Sequence, residues 1–171
     1  MGSTLHFGPF LEANQWKKAH ATTTATSGTF GDSFHKFRLD WDDKAITFSV
    51  DGQEILSVDP GSGGFWDFGQ FEKNGQSKWE NPWAAGERMA PFDQEFYIIM
   101  NVAVGGVGFF PDEYVNSPYP KPWNDNTGHA ATAFWNARNN WLPTWKLDHN
   151  NGEDAAMQVK YVRVWKTVPS S

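Results

Sequence analysis

The stretch His35-Lys36-Phe37-Arg38-Leu39-Asp40-Trp41 limits the fold of this chain more than any other. Phe37, Leu39 and Trp41 alternate strictly with Lys36, Arg38 and Asp40. A side-chain period of two belongs to a half-buried β-strand and does not fit a helix. Asp42-Asp43-Lys44 supplies a turn, and Ile46, Phe48 and Val50 resume the alternation. Asp51-Gly52 then makes a tight hairpin into Glu54-Ile55-Leu56. These residues predict three strands in antiparallel succession, a meander.

Further strands are expected elsewhere. Phe96 to Val104 (FYIIMNVAV) is apolar on both faces except for Asn101, the pattern of a central buried strand. A lone Asn there must be hydrogen-bonded or must line a groove. Met157 to Trp165 alternates with Lys160 and Arg163 able to reach solvent, and Thr4–Phe7 reads as a short strand. Gly105 to Ala130 is rich in Pro, Gly and Asn and predicts a long ordered loop. Ala131–Asn140 predicts a short helix with Thr132 as its cap. Widely spaced strands joined by aromatic loops give an all-β fold, an antiparallel β-sandwich, in one domain over residues 1–171.

Composition separates two roles for the aromatic residues. The chain holds 14 Phe, 10 Trp and 4 Tyr, more rings than it has Leu, Ile and Val together. Large rings let a chain poor in aliphatics bury a core, at about 150–250 Å² each. Phe34, Phe37, Phe48 and Phe96 fall within the strand patterns and are expected in that core. Ten Trp exceed what such a core needs, and the surplus points to a ligand surface.

Several function classes are excluded. No apolar run approaches the ~20 residues that span a bilayer, so no membrane is expected. No basic segment followed by an apolar one opens the chain, so no signal peptide is expected. A net charge of −6 without a Lys/Arg cluster argues against nucleic acid. The absence of Cys removes a disulfide scaffold, a thiol nucleophile and a Cys-ligated zinc. The five His are dispersed without metal-ligand spacing, and neither a Gly-rich phosphate loop nor a serine elbow is present. Trp123 to Gly128 has the flavour of a calcium loop but lacks the rest of the pattern. No metal and no cofactor are expected.

Sugar hydrolysis needs two carboxylates, about 5–5.5 Å apart for retention of configuration. On a strand that requires Glu-x-Asp-x-Glu or a bulged variant, and none of the eight Glu has it. Asp40, Asp42, Asp43, Asp93, Glu95, Asp112 and Glu113 read as solvated turn and strand-end charges. Loop Trp remain. Trp66 follows Gly63-Gly64-Phe65, Trp79 and Trp83 flank Asn81-Pro82, Trp123 follows Pro122, and Trp135, Trp141 and Trp145 follow closely on one another. Flat rings beside Asn, Asp, Glu and His are how a groove holds a pyranose, although most loop Trp simply pack.

Ten stretches in order resemble one family. They are residues 2–9 (GSTLHFGP), 34–41 (FHKFRLDW), 46–52 (ITFSVDG), 63–66 (GGFW), 81–83 (NPW) and 90–106 (APFDQEFYIIMNVAVGG). The series continues with 110–112 (FPD), 134–137 (FWNA), 141–145 (WLPTW) and 159–165 (VKYVRVW). Together, from about Ser3 to Trp165, they resemble the carboxyl-terminal part of glycoside hydrolase family 16, in its invertebrate laminarinase and β-1,3-glucan-binding branch.

The resemblance implies a concanavalin-like β-jelly roll with glucan in its concave cleft. It implies that the catalytic Glu-x-Asp-x-x-Glu strand lies before the segment matching Thr4–Gly8. The chain is then expected to lack both carboxylates and the amino-terminal strands, and no catalytic residue is assigned. Family members often carry Asp before the final Tyr-Val-Arg-Val, near a calcium; Lys160 stands there, and no metal is implied. By position His6 matches a cleft histidine, Trp66, Asn81 and Trp83 match loop residues bordering the cleft, and Asn101 matches the polar residue of the central strand. Trp135 and Trp141 complete the candidate sugar contacts.

The implied function is non-catalytic β-1,3-glucan binding, in an extracellular, innate-immune setting. The alternative is a piece of a retaining endo-β-1,3-glucanase, active only with the amino-terminal part. A third reading is a structural protein that kept only the fold. The implied partner is a β-glucan polysaccharide. Dimerisation or pairing with the amino-terminal part is expected, because incomplete sheets expose edges.

Overall fold

The computed structural model describes residues 1–73, 76–77, 79–108 and 110–166. Its strands are all paired antiparallel, and its helices are short. The chain divides into two compact units, Met1–Tyr97 and Ile98 onward, each described by itself below.

The first unit is built around the meander. Strands β3 (Phe37–Trp41), β4 (Ile46–Val50) and β5 (Gln53–Val58) lie in the order β3-β4-β5. Opposed pairs put Phe37 beside Val50, Leu39 beside Phe48 and Trp41 beside Ile46. The apolar residues therefore share one face, as the alternation requires. Asp51 and Gly52 both take positive φ, 52° and 86°, which a two-residue hairpin turn needs. A bulge in β5 sets Phe48 opposite Leu56 but Ser49 opposite Glu54, leaving Ile55 as the extra residue.

Only half of this apolar face is covered. Ile46, Val50 and Val58 are buried and Phe48 is partly buried, but Phe37 and Leu39 on β3 are 61% and 51% exposed. Of the four Phe expected in the core, only Phe48 packs against it; Phe34, Phe37 and Phe96 lie exposed. Alternation gives a strand two faces, yet the buried core reaches only β4 and β5; on β3 Trp41 meets Phe96 at 5.2 Å and Phe37 meets Phe30 at 6.4 Å.

The covering layer comes from α1 (Gly64–Gly69) and residues 5–19. Phe65 is 1% exposed, in edge contact with Phe7 at 5.0 Å and Phe92 at 4.9 Å. Gly64 opens the helix at φ 65°, where a Cβ would lie 2.7 Å from the Arg88 carbonyl oxygen, so both conformation and space call for glycine. Arg88 ties the layer down, donating to the Asp43, Lys44 and Gly61 carbonyls and to Asp59 Oδ1 at 2.8 Å.

Strand β1 (Gly2–Thr4) pairs with β2 (His20–Thr22), and the short β6 (Glu72–Lys73) pairs with β7 (Gln76–Ser77). The strand expected at Thr4–Phe7 thus sits earlier. Its partner becomes the 3₁₀ turn Trp16–Lys18, which ends the ladder after the Leu5 N–H to Ala19 carbonyl bond at 2.9 Å.

The second unit has no strand among its described residues. Helices α2 (Ala130–Asn136) and α3 (Arg138–Trp141) run into 3₁₀ turns at Leu142–Trp145 and Asn150–Ala155. The expected helix forms, but Thr132 lies inside it and is not its cap. Instead the Thr127 hydroxyl accepts the His129 N–H at 3.2 Å, just before the first turn. The loop between residues 105 and 130 is pinned by Lys121, whose Nζ bonds Asp112 at 2.5 Å, Asp125 at 2.6 Å and the Phe110 carbonyl at 2.6 Å.

Two expected strands do not form. Residues 96–104 and 157–165 enter no ladder, and Ile99 and Val164 are 71% and 78% exposed. A strand apolar on both faces is stable only between neighbours and beneath covering layers, and no described segment supplies them here.

Candidate functional site

Alternation along Leu5-His6-Phe7 buries the two apolar residues and turns His6 outward. Its Nδ1 lies 2.8 Å from Asn14 Nδ2. The Asn14 amide is oriented by its oxygen, which accepts the Trp16 N–H at 3.1 Å. Asn14 Nδ2 can only donate, so His6 Nδ1 accepts and the ring proton sits on Nε2. Trp16 lies 6.4 Å from the His6 ring and edge-on to His20 at 5.4 Å, with Lys17 Nζ 5.7 Å from its centroid. The sequence reading named His6 but missed Asn14 and Trp16. Their signal was the turn-forming Asn two residues before a Trp.

Trp66, Asn81 and Trp83 come together, yet in a packing role for the first. Trp66 is 7% exposed, against Phe71 at 5.1 Å and edge-on to Trp83 at 5.9 Å. Trp83 is partly buried, and Asn81 Oδ1 accepts its N–H at 2.9 Å, an Asx turn that sets the ring's direction. Exposed Phe10 and Trp79 meet edge-to-face at 5.1 Å.

In the second unit Asn101 is exposed within the unpaired 96–104 run. Trp141 is stacked on Phe134 at 4.3 Å and 11°, donates to the Phe134 carbonyl at 2.8 Å and touches Trp145 at 4.9 Å. Trp123 completes this cluster at 5.9 Å from Phe134 and donates to the Gly106 carbonyl. Trp135, the next residue along α2, points away and is 60% exposed. Arg138 sits 5.1 Å from its ring and donates to its carbonyl, which steadies the indole without covering it fully.

These groups can hold a sugar by ring stacking and by neutral hydrogen-bond donors. Among the described residues no cluster of three or more His, Asp or Glu could hold a metal ion. No described helix is long and apolar enough to cross a membrane.

Residues 3–85 match the family model for glycosyl hydrolases family 16. The chain is 51% identical over 170 residues to a β-1,3-glucan-binding protein of Penaeus monodon, covering 96% of this chain and 43% of that protein. It is 37% identical to β-1,3-glucan-binding protein 1 of Manduca sexta (95% of this chain, 31% of that protein). It is 35% identical to Gram-negative bacteria-binding protein 1 of Drosophila melanogaster (97% and 30%). The chain thus spans less than half the length of these curated relatives. No solved structure matches. With that match, and with relatives aligned along nearly all of the chain, residues 3–85 belong to glycosyl hydrolases family 16.

Proposed function

We propose that this chain is part of a β-1,3-glucan recognition protein of jelly-roll type, secreted and serving innate immunity, that binds glucan without hydrolysing it. The observation that carries the reading is the 51% identity, along 96% of the chain, to a protein named for β-1,3-glucan binding. Rings beside polar groups support it, chiefly the exposed Trp135 with Arg138, and the partly buried Trp16 with His6 and Asn14. In this reading the first unit offers His6 Nε2–H and Asn81 to sugar hydroxyls with Trp83 beside them, and the second unit, taken by itself, offers Asn101, Trp135 and Trp141. Trp66 acts from behind, fixing Trp83.

Trp fluorescence titrated with soluble laminarin tests the proposal. A saturable shift is expected, weakened in W135A, and a flat titration to millimolar sugar overturns it.

The second reading, a piece of a retaining endo-β-1,3-glucanase, is favoured by the family match itself. There the carboxylates come from a segment preceding Thr4, which also pairs with the open edge of β3. Adding the corresponding amino-terminal segment of the Penaeus relative and measuring reducing-sugar release separates the two. Release supports hydrolysis, and silence in a complex that has formed supports binding alone.

A further inference from the structure

A cluster of another kind lies at the hairpin end of the meander, outside the aromatic surfaces. Ser33 Oγ is 3.2 Å from His35 Nε2, and His35 Nδ1 is 2.7 Å from Asp51 Oδ2. A carboxylate only accepts, so the Nδ1 proton points at Asp51. With the ring neutral, Nε2 carries the lone pair that takes the Ser33 hydroxyl proton. Asp51 is itself held, its other oxygen accepting the Lys36 N–H at 2.8 Å. The His35 side chain is only 18% exposed, with Phe30 edge-on at 5.1 Å. The nearby Asp32 carboxylate is engaged by the Thr29 N–H at 2.6 Å and hydroxyl at 3.0 Å, leaving His35 to Ser33 and Asp51.

A hydroxyl, an imidazole and a carboxylate joined in that order form the arrangement that activates a serine. This one opens on a cavity of about 310 Å³. Thr24, Thr26 and Ser27 line it, as do Val50 and the bulged Ile55. Hydroxyl-bearing residues are the donor type a developing oxyanion needs, and the apolar residues suit a short alkyl chain.

We propose that Ser33, His35 and Asp51 form a nucleophilic relay that accepts the acyl group of small carboxylic esters. Ser33 Oγ bonds to the acyl carbon as its proton passes to His35 Nε2. The ester C–O bond breaks, and the leaving alkoxide takes that proton. Water then attacks the acyl-serine, giving its proton to His35 Nε2. Collapse releases the acid and returns the proton to Ser33.

The test uses the full chain with a fluorophosphonate probe, followed by intact mass and peptide mapping, and with p-nitrophenyl acetate. One adduct on Ser33 and a near-stoichiometric phenolate burst are expected. S33A should abolish both, and H35Q should slow labelling by at least about 100-fold, the scale of lost general-base help. D51N should slow it less, and circular dichroism should show all three variants folded. A wild-type chain that takes no label, or a label on Ser33 that forms equally fast in H35Q, overturns the proposal. Because laminarin plays no part in it, failure here leaves the glucan reading untouched.

Discussion

Trp66 and Trp135 carry the same side chain and have opposite surroundings. Removing the Trp66 ring empties a site shared with Phe71 and Trp83. Trp66→Ala should therefore cost about 3–5 kcal/mol, measured as a lowered denaturation midpoint. Trp135→Ala should change stability by no more than about 0.5 kcal/mol. It should weaken laminarin binding by about 0.5–1.5 kcal/mol, several-fold in Kd by calorimetry. Gly64→Ala should destabilise by about 1–3 kcal/mol, since it places a Cβ against the Arg88 carbonyl at a positive φ. Sequence could nominate these Trp but not sort them, because neither Gly-Gly-Phe-Trp nor Ala-Phe-Trp-Asn shows which side of its ring is covered. Sorting depends on which side of a short helix its own unit covers. His6 was legible as a candidate, whereas Asn14 and Trp16 take their place beside it only once the chain folds back toward β2.

Among the elements, the meander was readable because each of its signals is local: alternation, Asp-Gly, and alternation again. The 96–104 and 157–165 runs show the limit of that logic. Their patterns describe the neighbours a strand needs, and pattern alone does not supply the neighbours. Amide hydrogen exchange should accordingly find β4 well protected and residues 98–104 exchanging rapidly. Acid should act on two loops. The His35 hydrogen bond, with the Lys36 N–H, holds the Asp51 carboxyl below the ordinary range, and the Lys121 hydrogen bond, with the Asp125 N–H, does the same for Asp112. A carboxyl depressed in the folded state stabilises it above its unfolded pKa, about 3.9, and loses that contribution as pH falls through the folded value. Both loops should hold from neutral pH to about 4 and loosen below it. Trp123 fluorescence, next to Lys121, reports one of them. D112N should remove much of that unit's response.

For the molecule as a whole, each of the two units carries its own aromatic surface. A net charge of −6 keeps such a chain dispersed only partly, because the bare apolar row of β3 and the 96–104 run favour association. Light scattering should show the isolated chain self-associating as concentration rises. Addition of the amino-terminal segment of a relative should reverse this, and a clean monomer at high concentration would count against the pairing reading.

The outer edge of β3 also behaves as a template with a fixed reading frame. Among the described residues β3 is bonded on one side only, by β4. A newcomer docking on the other side meets Phe37, Leu39 and Trp41 at every second position, with Arg38 and Asp40 between them on the opposite face. Backbone pairing accepts almost any sequence, but the two-residue period does not. A strand entering one residue out of step would set charges against the rings and apolar groups against Arg38 and Asp40, which pair at 2.6 Å. The edge thus selects partners by phase as well as by composition, and a peptide and its one-residue-shifted scramble should differ sharply in their ability to add to it.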